Sequence, residues 1–312
     1  MRLFAKLMLA VALLLAGLAP AAAQKRIALT FDDVPRGRGA FLTPDERTVK
    51  LIAGLRRAGV PQAAFFVNPA NLGNPDGKGG EERILAYVAA GHVIANHSWS
   101  HPHLSETSAA DFLANIDRAD AWLRPRDGFR PWFRFPFLDE GMADKAKRDA
   151  VRAGLKARGL HNGYVTADGA DWFLEQLTID AAKAGKPIDM AALRDLYVET
   201  HVGAAEFFDG LMVKAIGRSP IHVMLMHETD LAALFLPDLV AALRAKGWEI
   251  VTADAAFADP VNQLFPDTPS ANGTLTEAVA WEKNLPAPRW YERNSTKLLG
   301  ALFAARVLHE GE

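Results

Sequence analysis

Short apolar runs recur along the chain, each ending in polar residues and followed by a stretch with helical spacing. The first, 27–31, closes on two adjacent carboxylates, Asp32 and Asp33. Runs at 63–68, 92–97, 132–137, 163–167, 221–227 and 248–253 have similar character and read as strands. Between the first two, Val49, Ile52, Ala53 and Leu55 mark one face of a helix over 44–58. Thr43 and Glu46 are spaced as its capping box, and Gly59 ends it. Further helices are expected at 81–90, 108–123, 143–158 and 236–247. Strands alternating with helices predict a parallel sheet, because parallel strands need crossover connections. So many units in one chain predict a distorted or incomplete (β/α) barrel, with a doubly wound open sheet as the alternative.

Two stretches break this rhythm. Residues 173–217 read as helical throughout, interrupted near Gly185-Lys186-Pro187, and form a helical insertion. From Asp259 onward, prolines and the aromatics Trp281, Trp290 and Tyr291 mark a C-terminal appendage, 259–312, packing on a barrel domain of 24–258. At the other end, Arg2 and Lys6 precede an apolar run, and Ala21-Ala22-Ala23 precede Gln24. This is the three-part pattern of a signal peptide, expected at 1–23. The run is short of the ~20 residues a spanning helix needs. An exported protein, periplasmic or secreted, is therefore expected, without stable membrane insertion after cleavage.

Composition narrows the picture further. The 312 residues include no Cys, so packing alone must hold an exported fold together. A net charge of −2 argues against nucleic acid as a partner. Residues 76–80, DGKGG, lack the spacing of a phosphate-binding loop and read as an ordinary loop.

Reactive side chains gather at the C-terminal ends of the expected strands: Asp32, Asp33, His97, Arg134, Asp168, Asp171 and His227. In a parallel barrel those ends share one face, where catalytic sites form. His97 and His101 stand four apart in HSWSH, and in a helical turn they would point the same way. Two imidazoles and a carboxylate suffice to hold a catalytic zinc ion with one position open. His103, past Pro102, reads as a loop residue on the far side of the turn, and His92 as structural.

Five motifs, TFDD (30–33), HSWSH (97–101), RFPF (134–137), DGADW (168–172) and LMH (225–227), occur in an order that resembles the polysaccharide deacetylase family. These are the NodB-homology domains of carbohydrate esterase family 4. The resemblance implies a distorted (β/α) barrel and a divalent metal, Zn²⁺ or alternatively Co²⁺ or another ion, held by Asp33, His97 and His101. It implies Asp32 as general base, held by Arg134, and His227 as general acid, tuned by Asp171. Trp172 would line the substrate groove and Leu225 the acetyl-methyl pocket, while the backbone N–H of Phe137 would help bind the oxyanion. The implied reaction is hydrolytic deacetylation of an N-acetylated sugar in a poly- or oligosaccharide. An O-acetyl esterase on a polymer such as xylan and a non-catalytic carbohydrate-binding protein are the alternatives. Phe137 and Leu138 depart from the Tyr-Gly that often continues the third motif, and this departure bears on the cleft rim.

Overall fold

The first apolar run lies in the longest strand, β1 (Lys25–Val34), which pairs in parallel with a strand on each side. A computed structural model describes residues 24–311, so the expected signal peptide at 1–23 lies outside the described residues. The other strands are β2 (Ala64–Val67), β3 (Val93–Asn96), β4 (Phe129–Phe133), β5 (Asp139–Met142), β6 (His161–Asn162), β7 (Ala167–Asp168), β8 (Ile221–His227), β9 (Trp248–Ile250) and β10 (Ala271–Asn272). The helices are α1 (Pro44–Arg57), α2 (Gly80–Ala89), α3 (Ala109–Leu123), α4 (Lys145–Ala157), α5 (Asp171–Lys183), α6 (Met190–Ile216), α7 (Asp230–Ala245), α8 (Ala253–Phe257), α9 (Leu275–Glu282) and α10 (Thr296–Arg306). Thr43 and Glu46 form the expected capping box at the start of α1.

The main sheet runs β6-β4-β3-β2-β1-β8-β7, with β9 pairing the start of β1. Its two outermost strands are neighbours in sequence, separated only by residues 163–166. Five residue steps reach at most about 18 Å. Seven strands laid flat at ~4.8 Å spacing would hold the edges about 29 Å apart. The sheet must therefore curl until its edges nearly meet, which gives a parallel half-barrel and rules out a flat doubly wound sheet. The run expected as one strand at 163–167 is this crossing: only its end pairs, as β7, on the opposite edge from β6.

The pleat of β1 sorts its side chains into two cores. Ile27, Leu29 and Phe31 face the surrounding helices, where Phe31 stacks on Phe65 and Phe65 on Tyr87. Ala28 faces the concave side with Phe66, Ala95, Trp132 and Val223. The short helix α8 fills that side with Ala253, Ala256 and Phe257, and Phe257 lies against Trp132. Thr30 and Asp32 continue the concave row of β1 upward, so the inner face is apolar below and polar at the strand ends.

Other boundaries shift with local chemistry. The run at 132–137 ends as a strand at Phe133, because Pro136 starts a tight turn in which Phe137 and Leu138 have φ of 58° and 52°. The helix expected from 236 begins already at Asp230, capped by Thr229, and carries Pro237 in its interior. The insertion is two helices, α5 and α6, broken where expected, with Gly185 left-handed at φ 66°. Residues 259–311 hold to the body at both rims of the cleft. β10 pairs antiparallel with β5, Gly273 N–H donates to Leu138 O, and Leu275 N–H donates to Val165 O. Among the described residues, no helix is long and apolar enough to cross a membrane.

Candidate active site

Asp32 and Asp33 are consecutive, so an ideal strand would send them to opposite faces. Asp33 instead adopts φ of 66°, a left-handed conformation that Asp tolerates better than most residues, at an irregularity in the β1–β2 ladder. Both carboxylates consequently reach the same imidazole: Asp32 Oδ2 and Asp33 Oδ1 each lie 3.6 Å from His97 Nε2. Their outer partners differ. Arg134 Nη1 donates to Asp32 Oδ1 at 2.6 Å, and both side chains are buried. The same nitrogen donates to Thr30 Oγ1, Nε donates to Gly163 O, and the guanidinium lies over the ring of Phe66. Asp33 Oδ2 faces the cleft and accepts from Arg36 Nη1 at 2.7 Å.

His97 and His101 converge by a route different from the expected helical turn. Residues 97–101 form a loop in which Ser98 and His101 have φ of 68° and 58°. Asn96 Oδ1 accepts from Ser98 N–H, Ser98 Oγ accepts from His101 N–H, and Asn115 Oδ1 accepts from the N–H groups of Trp99 and Ser100. Asn68 donates to the carbonyls of His97 and Ser98. Asn68 and Asn115 lie far away in sequence, and no local pattern announces that they shape this loop.

The donor set of Asp33, His97 and His101 fits a small divalent cation. Their ligand atoms all lie within 4.8 Å of one another. Asp33 Oδ1 is 3.1 Å from His101 Nε2 and 3.6 Å from His97 Nε2. Tetrahedral ligands at ~2.1 Å from a metal stand about 3.4 Å apart. Asp33 Oδ1 is also a buried oxygen without a well-formed hydrogen bond. His97 Nδ1 lies 2.9 Å from Arg134 O, which places the ring proton there and leaves Nε2 as a bare lone pair. Burial drives the pKa of His97 down to about 4 against the pull of Asp32, so the ring is neutral, as a ligand must be. Burial would raise Asp33, but His101, Arg36 and His227 together hold its carboxyl well below the usual range.

On the other side of the cleft, His227 is the register partner of Asp32 across β1 and β8. Asp171, in the first turn of α5, accepts from both the backbone N–H and ring Nδ1 of His227, each at 2.7 Å. Burial would lower His227, but the Asp171 carboxylate overrides it and pushes the ring up to about 9. At neutral pH that histidine is protonated, with Nε2 left to donate.

The cleft, a cavity of about 430 Å³, is lined by these groups together with Arg36, Phe137, Leu138, Trp172, Gln176 and Leu225. All ten site residues named from sequence lie in or directly behind it: Asp171 and Arg134 sit behind, and the others reach its wall. His103 is nearer than expected: its ring stacks on Phe137 at 3.5 Å, and Phe137 also meets His101 edge-on. His92 stays away from the cleft, accepting from Ala63 N–H. Sequence reasoning missed Arg36, whose only sign was its place just after the double carboxylate.

The family model described as polysaccharide deacetylase matches residues 19–158. A chitin deacetylase of Colletotrichum lindemuthianum is 26% identical over 75% of this chain and 79% of its own length. A peptidoglycan-N-acetylglucosamine deacetylase of Listeria monocytogenes is 25% identical over 79% of this chain but 42% of that longer protein. Among solved structures, the Colletotrichum chitin deacetylase superposes with a TM-score of 0.50 at 21% identity, covering 76% of this chain and 91% of that one. A Bacillus anthracis pseudoenzyme of carbohydrate esterase family 4 reaches 0.51 at 18%, covering 75% and 65%. The barrel is thus shared by a protein named for its activity and by one named for lacking it, so the fold is silent on catalysis. Motif order, the curled parallel sheet and these matches agree: the chain is similar to the polysaccharide deacetylase family, whose model spans residues 19–158.

Proposed function

We propose that the protein is an exported, metal-dependent hydrolase that removes acetyl groups from an N-acetylated amino-sugar polymer or oligomer. The observation that carries this reading is the pairing of Asp32 with His227 across β1 and β8, beside the cluster of Asp33, His97 and His101. A divalent ion held by those three residues, Zn²⁺ by donor type, would polarise the acetyl carbonyl and lower the pKa of water. Asp32, anchored by Arg134 and off the ligand set, takes the proton from the attacking water. The N–H of Phe137 supports the developing oxyanion. His227 Nε2 delivers a proton to the departing amine, and Asp171 keeps that proton available at neutral pH. Leu225 and Trp172, both at the cleft wall, take the acetyl methyl and the sugar. The same apparatus can cleave an O-acetyl ester, since only the leaving group changes. The names of the relatives favour the amide.

The test is acetate release by the processed protein from chitin oligomers, peptidoglycan fragments and acetylated xylan, with chelator and with metal restored. Release from the amino-sugar substrates that stops on chelation and returns with metal is expected. No release from any of them, or release indifferent to chelation, overturns the reading.

A further inference from the structure

A second cavity of about 430 Å³ opens beside the cleft, and the two share Asp168 and Trp172 as a common wall. Its far side comes from the C-terminal segment: the turn at Asn272, then Glu277 and Trp281 of α9, then Arg289, Trp290 and Asn294. Three of the seven tryptophans border it, Trp172, Trp281 and Trp290, and they are 44%, 50% and 46% exposed. Single exposed aromatic rings are ordinary, but three half-exposed indoles around one hollow form the kind of contiguous patch that marks a binding surface.

The polar lining suits hydroxyl groups. Asn294 donates to Asp168 O at 3.1 Å while its own Oδ1 stays buried and without a partner. The Arg289 guanidinium lies 4.0 Å over Trp281, a position from which its remaining N–H groups can reach a ligand. Asp168 and Glu277 supply carboxyl oxygens, and burial pushes their pKa values up to about 6 and 7, so near neutrality they can donate as well as accept. A pyranose has an apolar C–H face and a rim of hydroxyls, which matches indoles interleaved with carboxyl and amide groups. The hollow is also tied to the segment that crosses between the two sheet edges. Thr276 Oγ1 donates to Thr166 O at 2.7 Å, and Leu275 N–H to Val165 O at 2.8 Å.

We propose that this hollow is a second sugar subsite, built by the C-terminal segment, which holds the pyranose next to the one being deacetylated. It deepens the deacetylase reading and rests on it. Two carboxyl groups against one guanidinium favour an uncharged N-acetylhexosamine over a unit that carries its own carboxylate.

The experiment pairs Trp281→Ala and Trp290→Ala, singly and together, in the full processed chain. Acetate release is compared for an N-acetylglucosamine tetrasaccharide and for 4-nitrophenyl acetate, which is too small to leave the catalytic cleft. Tetrasaccharide binding is measured by calorimetry in an Asp32→Asn background. The double variant is expected to lose tenfold or more in kcat/KM on the tetrasaccharide, mostly through KM. Turnover of the aryl acetate should stay within twofold, and the tetrasaccharide Kd should rise in parallel. Trp281→Leu keeps apolar volume without the indole, and serves if the alanine variants do not fold. Unchanged tetrasaccharide kinetics, or equal losses on both substrates, overturn the subsite. If the parent protein releases no acetate yet binds the tetrasaccharide through Trp281 and Trp290, the subsite stands and the deacetylase reading falls. Absence of tetrasaccharide binding to the Asp32→Asn protein overturns the subsite.

Discussion

The two walls of the cleft are made differently. On the sheet side, Asp32, His97, Arg134 and His227 project from strand ends that are fixed by parallel ladders, and their partners are charges or carbonyls at short range. On the tail side, the wall is helix ends and loops carrying half-exposed indoles, tied down by a few backbone bonds. A sheet positions atoms closely, which proton transfer requires, whereas an aromatic wall tolerates small displacements because stacking is broad. Under the proposed function, the contrast places bond-breaking on the barrel and selection of the polymer on the tail.

The sharpest way to break this division lies within the sheet wall itself. Asp32→Asn should cut acetate release by ~10²–10⁴-fold, the usual worth of a positioned base, while metal content measured by emission spectroscopy stays near that of the parent. Asp33→Asn should instead lose the metal. If both variants lose metal alike, the two carboxylates do not divide the labour. Next comes pH. In the role proposed for it His227 acts in its protonated form, so activity should fall as pH rises through about 9. Asp171→Asn removes the group that raises this pKa and leaves burial to lower it. The alkaline limb of kcat should therefore move to ~6.5 or below, a loss of tenfold or more at pH 8. A variant whose limb stays in place would show that Asp171 only braces the backbone of His227.

Weaker perturbations probe the tail. Thr274 and Glu277 form a capping box at the start of α9. Thr274→Ala should lower stability in urea by ~1 kcal/mol and weaken turnover of long oligomers more than that of 4-nitrophenyl acetate. Equal weakening of both would mean that the tail supports the chemistry and not only the polymer. Phe137→Tyr should change kcat/KM less than twofold, since the oxyanion role proposed for Phe137 asks only for its backbone N–H. A large gain would show that a hydroxyl at the rim matters after all.

The half-barrel and its strand-end face were legible because period-2 and helical patterns report burial directly, and the capping box at Thr43 was legible because it is local. What stayed hidden was set by contacts distant in sequence. The splitting of 161–168 between opposite sheet edges follows from curvature that no short window encodes. HSWSH suggested a helical turn by spacing alone, yet Asn68 and Asn115 hold it as a left-handed loop. Arg36 carried no motif, and Trp281 and Trp290 read only as an aromatic cluster until the fold set them beside Trp172.

One side chain links the geometry of the fold to its chemistry. The guanidinium of Arg134 grips Gly163, in the segment that spans the gap between the sheet edges, and with the same fork grips Thr30 and Asp32 on the central strand. It acts as a tie rod across an arch: the span of the arch and the aim of the carboxylate are set by one strut. Attempts to widen this barrel for a bulkier substrate would therefore displace Asp32 unless the strut were lengthened with it. The rims and the tail remain as the parts that can be refashioned without moving the chemistry.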